Sequence, residues 1–308
     1  MAKVSCWFAI ILICLCIVVA GCVSDYNTSA VSGINPFDDI AGGHEILMSE
    51  YGHSPYIFPN DDTFHYYGGL FEVPYIFYGG QVDSEVGLLI FIDGIVQPYS
   101  LHDDTSEVAF EYMHVFNIEA NSEKVVMLSI APTVGEIGDN LQLNFVCIDF
   151  PLINDMSMLK LQGMSTTFSW RLSFFEDIVL HTAAHTSINA SISDFSSDVD
   201  MDVDIYGYFH LEVDEGSGIV RFIDLMEEEG EYRVTLFINN TPVRFNGGKT
   251  HFDINSRKGE KIVYDFKIDD YSLSSLNIVY AISIRLVSGE ENNQVDVFKT
   301  ISRVLNVS

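Results

Sequence analysis

Four groups of side chains have types and spacings that could carry chemistry. His181-Thr182-Ala183-Ala184-His185 has the i, i+4 histidine spacing of a zinc site on a helix. A metalloprotease needs Glu directly after the first His to act as base, and Thr182 stands there instead. A zincin-type catalytic centre is therefore excluded. What remains is a non-catalytic zinc site drawing on Glu176 or Asp177, or simply two polar residues on a strand or loop. Asp198, Asp200, Asp202 and Asp204 form the second group. A calcium loop of the helix–loop–helix kind needs Gly at its sixth position and Glu at its twelfth. Counting from Asp198 gives Val203 and Phe209, and counting from Asp200 gives Ile205 and Leu211, so both registers fail. Strict alternation with Val199, Met201, Val203 and Ile205 describes a half-buried strand with an acidic outer face. Four like charges on one face repel each other, and a weakly bound calcium ion would relieve that.

The third group is aromatic. Residues 51–78 hold Tyr51, Tyr56, Phe58, Phe64, Tyr66, Tyr67, Phe71, Tyr75, Phe77 and Tyr78. Exposed rings of this kind stack on sugar faces, whereas buried ones fill a sandwich core. Tyr66 and Tyr67, beside Gly68-Gly69 in a predicted turn, are the candidates for ligand contact. The fourth group is His102, Asp103 and Asp104, in an acidic segment ending at Glu107. No Gly-x-Ser-x-Gly elbow and no glycine-rich phosphate loop occurs, so no catalytic residue is assigned. Paired carboxylates of a glycosidase cannot be picked out by spacing among 44 acids.

The elements that must position these groups are strands, and one stretch of them occurs twice. Leu88-Leu89-Ile90-Phe91-Ile92-Asp93-Gly94 leads through Phe116-Asn117-Ile118 to Glu123-Lys124-Val125-Val126. Val234-Thr235-Leu236-Phe237-Ile238-Asn239-Asn240 leads through Phe252-Asp253-Ile254 to Glu260-Lys261-Ile262-Val263. Each copy reads as an apolar strand, an Asx turn, a Phe-Asx-Ile strand, a Glu-Lys turn and another strand. The first copy carries ten extra residues between its two Phe landmarks, around His102 to Glu107. Insertions concentrate in surface loops, where they cost little, so this divergent loop is expected to be a recognition loop. In 125–130, Val126, Leu128 and Ile130 make one wholly apolar face, and Gly138-Asp139-Asn140 is a turn before a strand from Leu141. Strands about ten residues apart with turn residues between them predict an all-β fold of two tandem antiparallel β-sandwiches. The expected organisation is a leader over 1–21, a tether over 22–43, one sandwich over 44–155 and a second over 156–308.

Composition bounds the partners. The chain has 308 residues, 15 Lys and Arg against 44 Asp and Glu, and a formal net charge of −29. Nucleic acid demands Lys/Arg surfaces, so it is excluded as a partner. Residues 1–21 comprise a short positive start at Lys3, an apolar run from Ser5 to Val19 and a small-residue ending, which is the pattern of a cleaved signal peptide and too short to span. Cys6, Cys14 and Cys16 lie within it, so Cys147 is the one thiol left beyond Cys22, no intrachain disulfide is expected, and Cys147 reads as a buried inert thiol. Residues 23–43 are rich in Ser, Asn, Gly and Asp and read as a flexible tether.

Val19-Ala20-Gly21-Cys22 resembles the lipobox of prokaryotic lipoproteins. The resemblance implies that Cys22 becomes the first mature residue and carries the lipid, and that the protein is held on the extracytoplasmic side of a membrane. Two or three acyl chains suffice for stable attachment. Gly-x-Tyr-x-Val-x-Leu-Phe-Ile-Asn-Asn, from Gly230 to Asn240, resembles the central hairpin of extracellular bacterial immunoglobulin-like or fibronectin-type adhesion domains, over about 35 residues per copy. Together they imply a lipid-anchored envelope protein with a binding, adhesion or spacer role, no catalysis and no required cofactor, whose partner is a surface protein or a glycan. A sugar-binding module or carbohydrate-active enzyme component, and a metal- or solute-capturing lipoprotein, are the alternatives.

Overall fold

The apolar run of the first copy is hydrophobic on both faces, and the structure shows why. Val86, Leu88, Ile90 and Ile92 point into one core, while Leu89 and Phe91 point into another. A strand with period two is continuously apolar when a packed layer covers each side of its sheet. The computed structural model describes residues 51–56, 63–103, 106–107, 109–149, 164–166, 169–178, 187–190, 210–214, 218–225, 229–259, 261–269, 276–286, 297–298 and 303–306. The leader 1–21, Cys22 and the tether 22–43 lie outside the described residues.

The first half of the chain contributes β1 (Gly52–Pro55), β2 (Thr63–Tyr66), β3 (Phe71–Tyr78), β4 (Ser84–Ile92), β5 (Ile95–Gln97), β6 (Tyr99–Asp103), β7 (Ser106–Glu107), β8 (His114–Ile118), β9 (Glu123–Ile130), β10 (Asn140–Asp149), β11 (Met164–Thr166) and β12 (Trp170–Phe174). The second contributes β13 (Ser187–Ala190), β14 (His210–Asp214), β15 (Ile219–Leu225), β16 (Gly230–Ile238), β17 (Thr241–Pro242), β18 (His251–Ser256), β19 (Lys261–Lys267), β20 (Leu276–Leu286), β21 (Val297–Phe298) and β22 (Arg303–Asn306). All regular elements among the described residues are strands. They form four sheets: β1-β3-β9-β6-β7; β2-β12-β10-β4-β5 with β11 on β10 and β8 on β4; β13-β18-β16-β20-β21 with β17 on β16 and β22 on β20; and β14-β15-β19. The fold is the expected all-β sandwich architecture. Pairing is antiparallel except for β2 with β12 and β13 with β18, which run parallel.

The sequence repeat is a repeat of topology. In the first copy β4 pairs with β5, β8 and β10, and the chain crosses to the other sheet at β9. In the second, β16 pairs with β17, β18 and β20, and the chain crosses at β19. Both hairpin turns have positive φ at their two central residues, 49° and 70° at Asp93-Gly94 and 49° and 65° at Asn239-Asn240. That is the primed turn whose twist matches paired strands, which accounts for Asx and Gly there. Phe116 faces Val86, whereas Phe252 faces Val234, the counterpart of Leu88. The register has thus shifted by two residues between copies. An even shift leaves every side chain on its original face, so both cores survive it.

Two expectations need correction. The ten extra residues are not only a loop: β6 joins the first sheet alongside β9, with Tyr99 opposite Ile130 and His102 opposite Met127, and β7 folds back on it. In the second copy the corresponding reach is short: Phe245 bridges to Ile268, the Asn246 N–H donates to the Lys267 carbonyl and the Asp269 N–H to the Arg244 carbonyl. The boundary at 155/156 is also not where the chain leaves the first core. Trp170, Leu172 and Phe174 pack there with Leu143 and Phe145, because β12 pairs with β10.

The two cores are bridged by a third. Leu89 and Phe91 of β4 and Val146 and Ile148 of β10 meet Phe237 of β16 and Tyr280, Ile282 and Ile284 of β20. Phe237 lies flat on Tyr280, centroids 4.9 Å apart and planes at 7°, with Phe91 edge-on to Phe237 at 6.5 Å and 78°. At about 1.5–3 kcal/mol for each large apolar side chain buried, this contact holds the second and third sheets face to face. Arg233 lies at the edge of this contact. It donates from Nε to Asp253 Oδ1 at 2.8 Å, and from Nη1 to the Asp93 carbonyl at 2.6 Å and to Asp93 Oδ2 at 3.0 Å. Burial pulls its pKa down, but Asp253 and then Asp93 more than offset this, so the net shift is upward. Gln142 Nε2 donates to the Arg285 carbonyl at 3.1 Å, so this buried polar side chain is satisfied across the same contact.

Candidate functional site

Two parallel neighbours set the geometry of the aromatic group. On β2 and β12 the register pairs Tyr66 with Phe174, and the Phe175 N–H donates to the Tyr66 carbonyl at 2.9 Å. Alternation turns Tyr66 and Phe174 into the first core, their rings 5.1 Å apart. The next residue on each strand then faces out. Tyr67, 66% exposed, stacks on Phe175, 53% exposed, at 5.1 Å and 21°. His65 completes the corner, edge-on to Phe175 at 5.4 Å and to Tyr67 at 6.3 Å.

The surroundings hold this corner in place. Gly68 and Gly69 both have positive φ, and the Tyr66 hydroxyl donates to the Gly69 carbonyl at 3.1 Å. The Glu176 carboxylate lies over Gly68, where any Cβ would collide with it. Burial first, and then this carboxylate, push the Tyr66 hydroxyl pKa up. On the other side the 135–139 turn closes on Phe174: Gly135 leaves no room for a Cβ against that ring, and Phe174 exchanges backbone hydrogen bonds with Gly138 and Asp139 at 2.9 Å. Asp177 Oδ1 accepts from the N–H of Ile137, itself an exposed apolar residue, at 3.0 Å.

Tyr67 is therefore on the surface as expected, whereas Tyr66, 2% exposed, belongs to the core and is removed from any ligand face. Phe71, Tyr75 and Phe77 are core as well, Tyr51 and Phe64 pack partly buried against it, Tyr56 and Tyr78 are exposed, and Phe58 lies outside the described residues. His102 and Asp103 lie on β6, opposite Glu107 and Ser106 of β7, and Asp104 lies outside the described residues. His181, His185, Asp198, Asp200, Asp202 and Asp204 also lie outside them. Among the described residues no group of three or more His, Cys, Asp or Glu is placed to hold a metal ion. Cys147 is fully buried in the first core, and burial pushes its thiol pKa well up, as suits an inert thiol.

Sequence reasoning missed Phe175, His65 and Glu176 as neighbours of Tyr67. The local signal was the alternation in Trp170-Arg171-Leu172-Ser173-Phe174-Phe175, which leaves Phe175 facing outward. Nothing local says that residue 175 meets residue 67.

No family model matches the chain, and no curated protein sequence matches it. Among solved structures it is similar to the chaperone–tip adhesion subunit pre-assembly complex CsuC–CsuE of Acinetobacter baumannii, with 11% identity over 80% of this chain and 97% of that one and a TM-score of 0.24. It is also similar to the SafA pilin–SafB chaperone complex of Salmonella enterica, with 11% identity over 81% and 97% and a TM-score of 0.26. A third similarity is to red sea bream transglutaminase, with 9% identity over 85% of this chain but 31% of that one and a TM-score of 0.21. These likenesses concern the β-sandwich fold and nothing further.

Proposed function

We propose that the chain is a lipid-anchored protein of the extracytoplasmic face, with a binding or adhesion role and no catalysis. The observation that carries this reading is the exposed Tyr67–Phe175 stack at the end of two core strands. A well-supported, solvent-facing aromatic cluster is what a binding surface uses, since rigid rings give large contact area at little entropic cost. The anchor rests on Val19-Ala20-Gly21-Cys22, with residues 22–43 as the tether between lipid and sandwiches. The third apolar core suits display, because it keeps the two sandwich cores in a fixed relation.

Two measurements test the reading. Cells fed an alkyne fatty acid should label the wild-type chain in the membrane fraction and leave Cys22→Ala unlabelled; an unlabelled wild type overturns the anchor. Beads carrying the full chain should retain envelope protein or glycan that the Tyr67→Ala/Phe175→Ala variant does not. Equal retention by both overturns the aromatic face as the binding surface.

A further inference from the structure

Resting on that binding role, we infer that the Tyr67–Phe175–His65 corner, with the Glu176 carboxylate beside it, receives the guanidinium of an arginine on a basic segment of a partner protein. Ring faces present the negative side of their quadrupole, and here two of them are stacked and open to solvent. The Glu176 carboxylate lies over Gly68, the residue that follows Tyr67. The Glu176 side chain is exposed, so its carboxylate is within reach of a ligand from solvent. Stacked rings beside a carboxylate match a planar cation on an apolar stem: the stem and plane lie on the rings, and the fork of N–H donors meets the carboxylate.

Charge decides against the other occupants. A net charge of −29 repels anionic partners and draws basic ones from a distance. Asp177 and Asp139 each accept a backbone N–H, from Ile137 and Glu136, and so brace the 135–139 turn, whereas the Glu176 carboxylate lies over Gly68 beside the rings. A neutral sugar would gain from the rings but would leave that charge without a counterpart. The rings also lie on the face of the second sheet that packs, further in, against β16 and β20. His65 pairs with Ser173 and Arg171 with Gln142, whose side chain reaches the Arg285 carbonyl. The site thus stands on the fixed part of the molecule.

The test uses the detergent-solubilised full chain and a fluorescein-labelled Gly-Arg-Gly-Arg-Gly peptide, followed by anisotropy at about 0.15 M salt, where the screening length is about 8 Å. The controls are the same peptide with citrulline, which is neutral and nearly isosteric, and cellobiose. Tyr67→Ala and Glu176→Gln should each weaken arginine-peptide binding about tenfold. Glu231→Gln, an exposed acid on β16, should leave it unchanged. Three outcomes overturn the inference: citrulline peptide binding as tightly, Glu231→Gln weakening binding as much as Glu176→Gln, or wild type failing to bind the arginine peptide. Cellobiose binding that is lost in Tyr67→Ala, with the arginine peptide silent, overturns the cation reading while leaving the binding role standing.

Discussion

Replacing Arg233 by Met tests whether the two sandwich cores are joined by more than apolar contact. The guanidinium is 14% exposed and makes donor contacts of 2.8 and 3.3 Å to Asp253, and of 2.6 and 3.0 Å to the Asp93 carbonyl and carboxylate. Removing one partner of a fully buried pair costs about 3–5 kcal/mol, because the other charge stays behind. Here Asp253 is 25% and Asp93 39% exposed, so water takes over part of the loss, and about 2–3 kcal/mol is expected. Met keeps the apolar stem, so packing contributes little to that figure. A double-mutant cycle sharpens the test. Coupling of Arg233 to Asp253 should be about 1–2 kcal/mol, and coupling to Asp93 about 0.5, since the Asp93 carbonyl contact survives Asp93→Asn. Asn is a fair probe because Asn239 holds the equivalent left-handed position with the same φ of 49°. Urea unfolding of the full chain, followed by Trp170 fluorescence and by far-ultraviolet circular dichroism, measures each cost. A loss below about 0.5 kcal/mol for Arg233→Met, or equal coupling to both acids, would refute the reasoning.

Three further outcomes follow from the same contacts. Phe237→Ala should cost about 3–5 kcal/mol and separate the fluorescence and dichroism transitions, whereas a single coincident transition at unchanged midpoint would show the third core to be dispensable. Gly94→Ala should cost over ~2 kcal/mol, about 1–2 from its left-handed backbone and the rest from a Cβ placed 3.0 Å from Arg233 Cβ and 3.1 Å from Leu286 Cδ2. Gly138→Ala, also left-handed but with no atom within 4 Å, should lose the backbone part alone, and equal losses would discount the clash. Burial lowers the His53 pKa from 6.5 to about 4, where its Nδ1 lies 2.7 Å from the Tyr75 hydroxyl. The unfolded chain then binds a proton below pH 6.5 that the folded chain refuses until about pH 4, so stability is full above 6.5 and falls with acidification. From pH 7 to pH 5 the loss should be about 2 kcal/mol, and His53→Gln should remove that slope in urea titrations. Asp149, whose pKa burial raises, titrates in the opposite sense and is common to both proteins. Parallel slopes for wild type and variant would exclude His53 as the source.

The fold was legible where the signal is local and periodic. Alternation in Val126, Leu128 and Ile130 marked a core face, and the Asp93-Gly94 and Asn239-Asn240 turns marked the hairpins, because backbone sterics restrict what can sit at positive φ. The chain repeat was legible for the same reason, since each copy carries its own landmarks at similar spacing. The passage between cores was not. Trp170 and Leu172 have the same alternation in either sandwich, and their partner Leu143 is a matter of long-range pairing.

The candidate site divides along the same line. Residue types alone singled out Tyr67 but also Tyr66, because adjacent residues of a strand are equally aromatic whichever one faces water. The amino-acid order was enough for strands, turns, the duplicated hairpin, the acidic balance and the lipobox-like segment, all of which depend on neighbours a few positions apart. Tertiary structure alone decided that Phe91 meets Phe237, that Arg233 reaches Asp93, and that Phe175 and Glu176 stand beside Tyr67. These pairs lie more than a hundred residues apart. Only the parallel pairing of β2 with β12, and the burial of a second apolar face on β4, β10, β16 and β20, bring them together.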